Sequence, residues 1–197
     1  MVTSTPDSAA TARAKAALRV ELRRARRELS QTVLDSAAER TATTLLKALA
    51  AVDAPTVAAY FPRQSEPGGA LPELLRDAGH RVLLPVLRDD FDLDWAAYDG
   101  EAEPTVRGLR EPAGARLGLD GVREADVVVA PGLAADADGV RLGQGGGCYD
   151  RVLARIASTV PTVLLLHDGE WPREVPRLEH DRAVKAVITP SGGYVRL

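Results

Sequence analysis

Apolar and polar residues follow two periods along this chain, one helical and one alternating. From about Ser8 to Ala51 the helical period holds. In "TARAKAALRVELRRARREL" the residues Ala14, Ala17, Leu18, Val20, Leu22, Ala25 and Leu29 recur near a spacing of 3.6. Ser30 ends this run, and "SQTVLDSAAERTATTLLKALAAV" predicts a second helix that stops at Asp53 and Pro55. Beyond that point short apolar runs alternate with helical ones. "TVAAY" (Thr56–Tyr60) reads as a strand, "ALPELLRDAG" (Ala70–Gly79) as a helix closing on glycine, and "RVLLPVL" and "DLDWAAYDG" as further strands. The stretch 101–119 reads as loop-rich, with no strand assigned. "ADVVVAPG" (Ala125–Gly132) is the clearest buried strand. After a glycine-rich loop come the helix "YDRVLARIA", the strand "TVLLLH" and an edge-like strand, "RAVKAVITP", that stops at Pro190.

Strands that alternate with helices predict an α/β fold. The expectation is a single three-layer domain over residues 11–197, with a mainly parallel sheet, helices on both faces and an N-terminal helical pair. Ligands of such sheets bind beyond the carboxyl ends of the strands, which places the loops after Tyr60, Val129 and Leu166 at one rim. Residues 1–10 read as a loose N-terminus without the apolar centre of a signal peptide.

Composition narrows the function classes. With 45% apolar and 27% charged residues, the 197-residue chain has an ordinary globular make-up. Its net charge of −3 argues against a general nucleic-acid or membrane binder. One cysteine, Cys148, excludes an internal disulfide and fits a reducing compartment. No apolar run reaches the roughly 18 residues that span a bilayer. A soluble, cytoplasmic protein is the expectation, and a monomer, which no feature of the sequence dictates, is the working expectation for its oligomeric state.

The candidate chemistry starts in "RLGQGGGCYDR", Arg141–Arg151, where four of five successive positions from Gly143 to Gly147 are glycine. Neither a P-loop nor the dinucleotide pattern fits: no GK[ST] follows, and Cys148 stands where a third glycine belongs. Two readings remain, a flexible turn or an anion cradle of backbone N–H groups facing the start of a helix, with Arg141 and Arg151 adding charge. Asp150 reads either as an acid stabilising that helix start or as a Mg²⁺ ligand beside phosphates. On the first helix Lys15, Arg19, Arg23 and Arg26 or Arg27 form a basic stripe. It reads as a solvated face, a nucleic-acid contact, or a clamp on polyphosphate held by the glycine loop. Glu66, in "YFPRQSEPGG", is surface or a catalytic loop acid. Cys148 at a helix start is a candidate nucleophile of lowered pKa. The scattered histidines, including His167 and His180 (beside Asp181), match no zinc spacing, and no G-x-S-x-G elbow occurs.

Together these segments resemble one family, 5-formyltetrahydrofolate cyclo-ligase, also called 5,10-methenyltetrahydrofolate synthetase. "KAALR" is similar to its K-x-x-L-R helix, with Lys15, Leu18 and Arg19 matching, and "RLGQGGGCYD" is similar to its R-L-G-x-G-x-G-Y-Y-D loop. "AAYFPRQSE", "DVVVAPGLAADADG" and "EHDRAVKAVITP" resemble its intervening and closing segments in the right order. The resemblance implies ATP-dependent closure of folinate to 5,10-methenyltetrahydrofolate through a phosphorylated formyl group, with ADP and phosphate released. It implies ATP contacts at Lys15, Arg19, Arg141, Leu142, Gly143, Gln144, Gly145, Gly146, Gly147 and Tyr149. Folate contacts are implied at Phe61, Glu66, Gln144, Cys148 and Tyr149, with Trp95 in the apolar wall, and Mg²⁺ on Asp150. Lys15, Arg19 and Asp150 carry the catalytic roles. The chain departs from the pattern at Cys148 (usually Tyr), Gln144, Ala135 (usually Phe), Pro67–Gly69 and near Lys185, where some members have an acidic metal ligand. The departures leave two further readings: a paralogue with a changed or lost substrate, and a non-catalytic nucleotide- or folate-binding module.

Overall fold

The structure, a computed structural model, describes residues 8–63, 65–105 and 108–197. Helices α1 (Ser8–Arg27) and α2 (Gln31–Ala50) meet at Ser30, whose hydroxyl caps α2 by accepting from the Val33 N–H at 3.4 Å. The segment read as loose lies outside the described residues over 1–7, and its last three residues open α1. Strand β1 (Thr56–Ala58) is followed by α3 (Leu71–Asp77), with Pro72 in the first turn where its missing N–H costs nothing. Then come β2 (Arg81–Leu87), β3 (Leu93–Ala97), β4 (Ala102–Pro104), β5 (Arg110–Pro112), a 3₁₀ turn (Leu119–Glu124), β6 (Val127–Ala130), β7 (Ala134–Ala135) and β8 (Arg141–Leu142). Helix α4 (Cys148–Arg155), β9 (Thr162–Leu165), β10 (Ala186–Thr189) and β11 (Gly193–Arg196) complete the chain.

Seven strands form one sheet in the order β11-β10-β9-β6-β1-β2-β3. The five inner strands are parallel, and the two outermost, β3 and β11, run antiparallel to their neighbours. A parallel strand covered on both faces must be apolar at every position. On β6, Val127 and Val129 face a core with Leu45 and Leu49 of α2 and Leu71 and Leu75 of α3. Val128 and Ala130 face the opposite core, with Tyr149 and Val152 of α4. The helix α1 does neither. Its Leu18 and Leu22 pack on Leu133, Ala134, Val140 and Leu142 of the β7–β8 hairpin and on Val175, so it lies along the rim at the strands' carboxyl ends. Val20, counted in its apolar period, points outward at 65% exposure. Among the described residues no helix is long and apolar enough to cross a membrane.

Two expectations need correction. "RAVKAVITP" is not an edge strand: β10 lies between β9 and β11, and the edge is taken by β11, whose four residues are too short and too half-exposed to show a pattern. The stretch 101–119 is not all loop either. It holds the β4–β5 hairpin and an isolated bridge from Arg116 to Ala96, in segments of three residues that end on proline.

The β7–β8 turn is the tightest point of the frame. Gly139 has φ +83°, and a Cβ there would lie 2.3 Å from the Val184 carbonyl oxygen. Gly139→Ala therefore combines backbone strain with a clash and is expected to lower the melting temperature by roughly 5–10 °C. Gly79→Ala, at φ +91° with nothing within 4 Å of the added carbon, is the comparison. It carries strain alone and should melt nearer the parent, by calorimetry of both.

Candidate active site

The carboxyl ends of β1 and β6, the glycine loop and α1 enclose a cavity of about 920 Å³. Lys15 and Arg19 of α1 form one wall, and Arg141 with the loop Gly143–Gly147 and the start of α4 form the next. Phe61, Arg63 and Glu66 enter from the loop after β1, Pro85, Leu87 and Leu93 from the β2–β3 pair, and Leu109, Arg110 and Glu111 from the small hairpin. Leu178, His180 and Asp181 close the side nearest α1.

The glycine loop owes its shape to two backbone angles. Gly145 (φ +112°) and Gly147 (φ +68°) occupy a region that L side chains rarely adopt, and Gly147 is the N-cap of α4. No side chain caps that helix, so its first N–H groups are turned toward the cavity together with the positive end of the helix. Arg151 holds the loop from outside, donating to Gly146 O at 3.0 Å and to Phe91 O in the β2–β3 turn.

The basic stripe is spent on the protein itself. Lys15 pairs with Asp181 at 2.5 Å, both side chains 6% exposed. Arg19 donates to Gly143 O at 2.8 Å, and Arg23 to the side-chain oxygen of Gln144 at 2.7 and 2.9 Å. Arg26 is buried against Glu170. The solvated-face reading fails for these four residues because each is turned to an oxygen of the cavity walls or of the structure behind them. Gln144 also reaches Glu66, 3.4 Å from Nε2 to Oε1, and Glu66 accepts from the Arg63 N–H at 3.0 Å. Arg141 donates to Asp150 at 3.0 Å, and Asp150 accepts from the Arg182 N–H at 3.3 Å.

Burial sets the ionisation of several groups. It lowers the Arg141 and Arg19 guanidinium pKa values; Asp150 offsets the first, whereas Arg23 adds to the second. Burial pushes the Tyr149 phenol far above its ordinary range, so it stays neutral. Tyr149 Oη and Arg141 Nε are buried without a hydrogen-bond partner among the described residues. Phe61 is sandwiched, edge-on to Tyr98 at 5.5 Å and beneath the Arg110 guanidinium at 4.4 Å.

The site residues that the resemblance implies line this one cavity except Leu142 and Trp95, and Arg151, expected to charge the cradle, lies outside it. Leu142 is fully buried in the cluster beneath α1 because its side chain points off the hairpin away from the glycines. Trp95 is likewise fully buried, on the α4 face of the sheet; Leu93, two residues before it, reaches the wall instead. Lys185 is remote, its ammonium held by the Ser158 and Val160 carbonyls, and Ala135 packs under β9. The second cavity carboxylate that the sequence did not single out is Asp181. A buried lysine needs a buried anion, but that signal requires knowing that Lys15 is buried. Arg110 and Glu111 were missed because their strand was read as loop. Asp150 and Asp181, each paired with a cation, are the cavity carboxylates that could hold Mg²⁺ beside phosphates, which needs only one or two carboxylates. Among the described residues there is no cluster of three or more His, Cys, Asp or Glu that would bind a metal unaided.

Comparison with known proteins gives a consistent result. Residues 11–190 match the model of the 5-formyltetrahydrofolate cyclo-ligase family. A 5-formyltetrahydrofolate cyclo-ligase of Mycolicibacterium smegmatis is 40% identical over 94% of this chain and 98% of its own, and one of Escherichia coli is 33% identical over 86% and 97%. The NMR structure of Aquifex aeolicus 5,10-methenyltetrahydrofolate synthetase superposes with a TM-score of 0.73 at 24% identity, covering 93% of this chain and 92% of that one. The Mycoplasma pneumoniae 5,10-methenyltetrahydrofolate synthetase gives 0.72 at 19% identity, over 88% and 96%. At those identities the two superpositions establish the fold.

The Cys148 environment contradicts the lowered pKa expected at a helix start. Half-burial raises the thiol pKa, and the nearby Arg151 offsets this only in part. A raised pKa leaves less thiolate at a given pH. Alkylation by iodoacetamide is therefore expected to have its pH midpoint above about 8.5, the value of a free thiol. A midpoint below that value would restore the nucleophile reading.

Proposed function

The chain belongs to the 5-formyltetrahydrofolate cyclo-ligase family and is an enzyme of that class, and from this premise we propose how its cavity performs an ATP-dependent ring closure. The N5-formyl group of the substrate is an amide-like carbonyl, too stable for N10 to attack. Its oxygen takes the γ-phosphoryl group of ATP and ADP leaves. The N10 lone pair then adds to the formyl carbon, the N10 proton is lost, and the C–O bond breaks to release phosphate and 5,10-methenyltetrahydrofolate.

In phosphoryl transfer the protein chiefly positions groups and neutralises charge. The observation that carries the reading is the juxtaposition, across one cavity, of the uncapped glycine loop with Lys15, Arg19 and Arg141. The loop and these cations hold the polyphosphate. Asp150 and Asp181 are the side chains that would share Mg²⁺, which supplies charge neutralisation between phosphate oxygens. Phe61 and Glu66 from the loop after β1, with Cys148 and Tyr149 at the start of α4, line the part of the cavity that takes the pterin ring, and Glu66 accepts from its ring N–H groups. Gln144 lies between the two halves, in contact with Glu66.

Three measurements test this. The purified chain with 5-formyltetrahydrofolate and Mg-ATP should generate the methenyl chromophore in step with ADP; ADP without chromophore would identify a paralogue with another acceptor, and neither product would sink the reading. Arg19→Gln removes a cation without leaving a buried carboxylate unpaired, and should raise the KM for ATP at least about tenfold, the value of one charge-assisted hydrogen bond. An unchanged ATP KM would remove Arg19 from the phosphate site. Asp150→Asn should lower kcat about a hundredfold and raise the Mg²⁺ concentration needed, with the folate KM within about twofold. An unaltered Mg²⁺ dependence would remove Asp150 as a ligand.

A further inference from the structure

Behind the cavity, three buried residues that do not line it connect two of its walls. Arg26 lies eleven positions beyond Lys15, about three turns along α1. Its guanidinium grips both oxygens of Glu170, Nε to Oε1 at 2.7 Å and Nη2 to Oε2 at 2.8 Å, and donates to Gly132 O at 2.7 Å. Glu170 Oε2 also accepts the main-chain N–H of His167 at 2.8 Å. The His167 ring, buried at the end of β9, places Nε2 2.9 Å from Ser65 O. A carbonyl only accepts, so Nε2 carries the hydrogen. Ser65 adjoins Glu66. The sequence Arg26–Glu170–His167–Ser65 therefore runs from α1, through the loop after β9, to the loop after β1 without crossing the cavity.

A buried ion pair is seldom a gain over apolar packing of the same volume; what a two-pronged pair supplies is a fixed geometry. Here the two ends it fixes are the helix bearing Lys15 and Arg19 and the loop bearing Phe61 and Glu66. We propose that Arg26, Glu170 and His167 are positioning residues that set the separation between the α1 cations and the Glu66 loop, and so align the two substrates; this rests on the ATP-and-folate reading of the cavity. Misplacement of a reacting group by about 1 Å costs up to about a hundredfold in rate. The helix is also docked by Leu18, Leu22 and the Lys15–Asp181 pair, so loss of the brace leaves α1 in place but free to shift.

The test uses the full chain, with the KM values for ATP and 5-formyltetrahydrofolate measured separately and amide exchange followed in the peptide 65–71. His167→Phe fills the site without the N–H. It is expected to raise the folate KM about tenfold and leave the ATP KM within about threefold, in line with loss of one buried hydrogen bond. His167→Gln, whose amide can reach the same carbonyl, should bring the folate KM back to within about threefold of the parent. Glu170→Gln, which weakens the grip on Arg26, should raise the ATP KM about tenfold. Exchange across 65–71 should quicken in His167→Phe and not in His167→Gln. A kcat and two KM values all unchanged from the parent, or exchange unaltered in His167→Phe, would overturn the brace. If His167→Phe does not fold, the Gln variants decide by the same KM values. If the parent forms no methenyl product, the ring-closure reading fails, and the exchange comparison still decides the brace.

Discussion

A cation taken out of water must end on an oxygen, and that requirement locates α1. Along its inward side the helix carries a lysine and three arginines where an ordinary helix would carry leucines, and only Leu18 and Leu22 supply apolar anchorage. Each cation meets an oxygen on the carboxyl-end side of the sheet: Asp181, Gly143 O, Gln144 and Glu170. Burying a charge unpaired costs several kcal/mol, so the two buried cations, Lys15 and Arg26, fix the seat of α1, and the half-buried Arg19 and Arg23 add directed contacts. With α1 seated along the rim, the glycine loop acquires a facing wall and the open end of the sheet becomes an enclosed volume.

The same contacts describe how the cavity is charged. Its walls hold Lys15, Arg19, Arg63, Arg110 and Arg141 against Glu66, Glu111, Asp150 and Asp181, nearly balanced. Two of the cations nearest the glycine loop, Lys15 and Arg141, are paired with the two carboxylates suited to a metal. A polyphosphate with its Mg²⁺ offers each member of both pairs a replacement of the correct sign. On the proposed reading, such a ligand would exchange partners with the protein and leave little charge bare during binding.

The inner strands were legible because covering both faces of a parallel sheet leaves no polar position: "VVVA" and "RVLLPVL" can be little else. The glycine loop was legible for a related reason, since four glycines in five positions cost stability that a plain turn would not require. What escaped was set by tertiary contact. β11 and the β4–β5 hairpin are too short for a period to emerge, and β11 is held chiefly by its neighbour β10. Asp181 looks like any loop acid until Lys15 is known to be buried beside it, 166 positions away. Arg26 and Arg27 cannot be told apart by charge; the turn of the helix buries one against Glu170 and exposes the other. Leu142 was drawn into the site by its neighbours Arg141 and Gly143, the inherent ambiguity of a strand with period two, and Trp95 by the family resemblance alone.

The cradle at Gly145 and Gly147 is made of main chain. Its N–H donors are the same whatever side chains surround them, and its two positive φ angles cannot be given up without losing the loop. A site built this way can hardly be retuned by small steps at its anion-facing surface. Variation is channelled to the neighbours that do carry side chains, Gln144 beside Glu66 and Cys148 at the start of α4. Those two positions can diverge while the phosphate chemistry beside them stays constant.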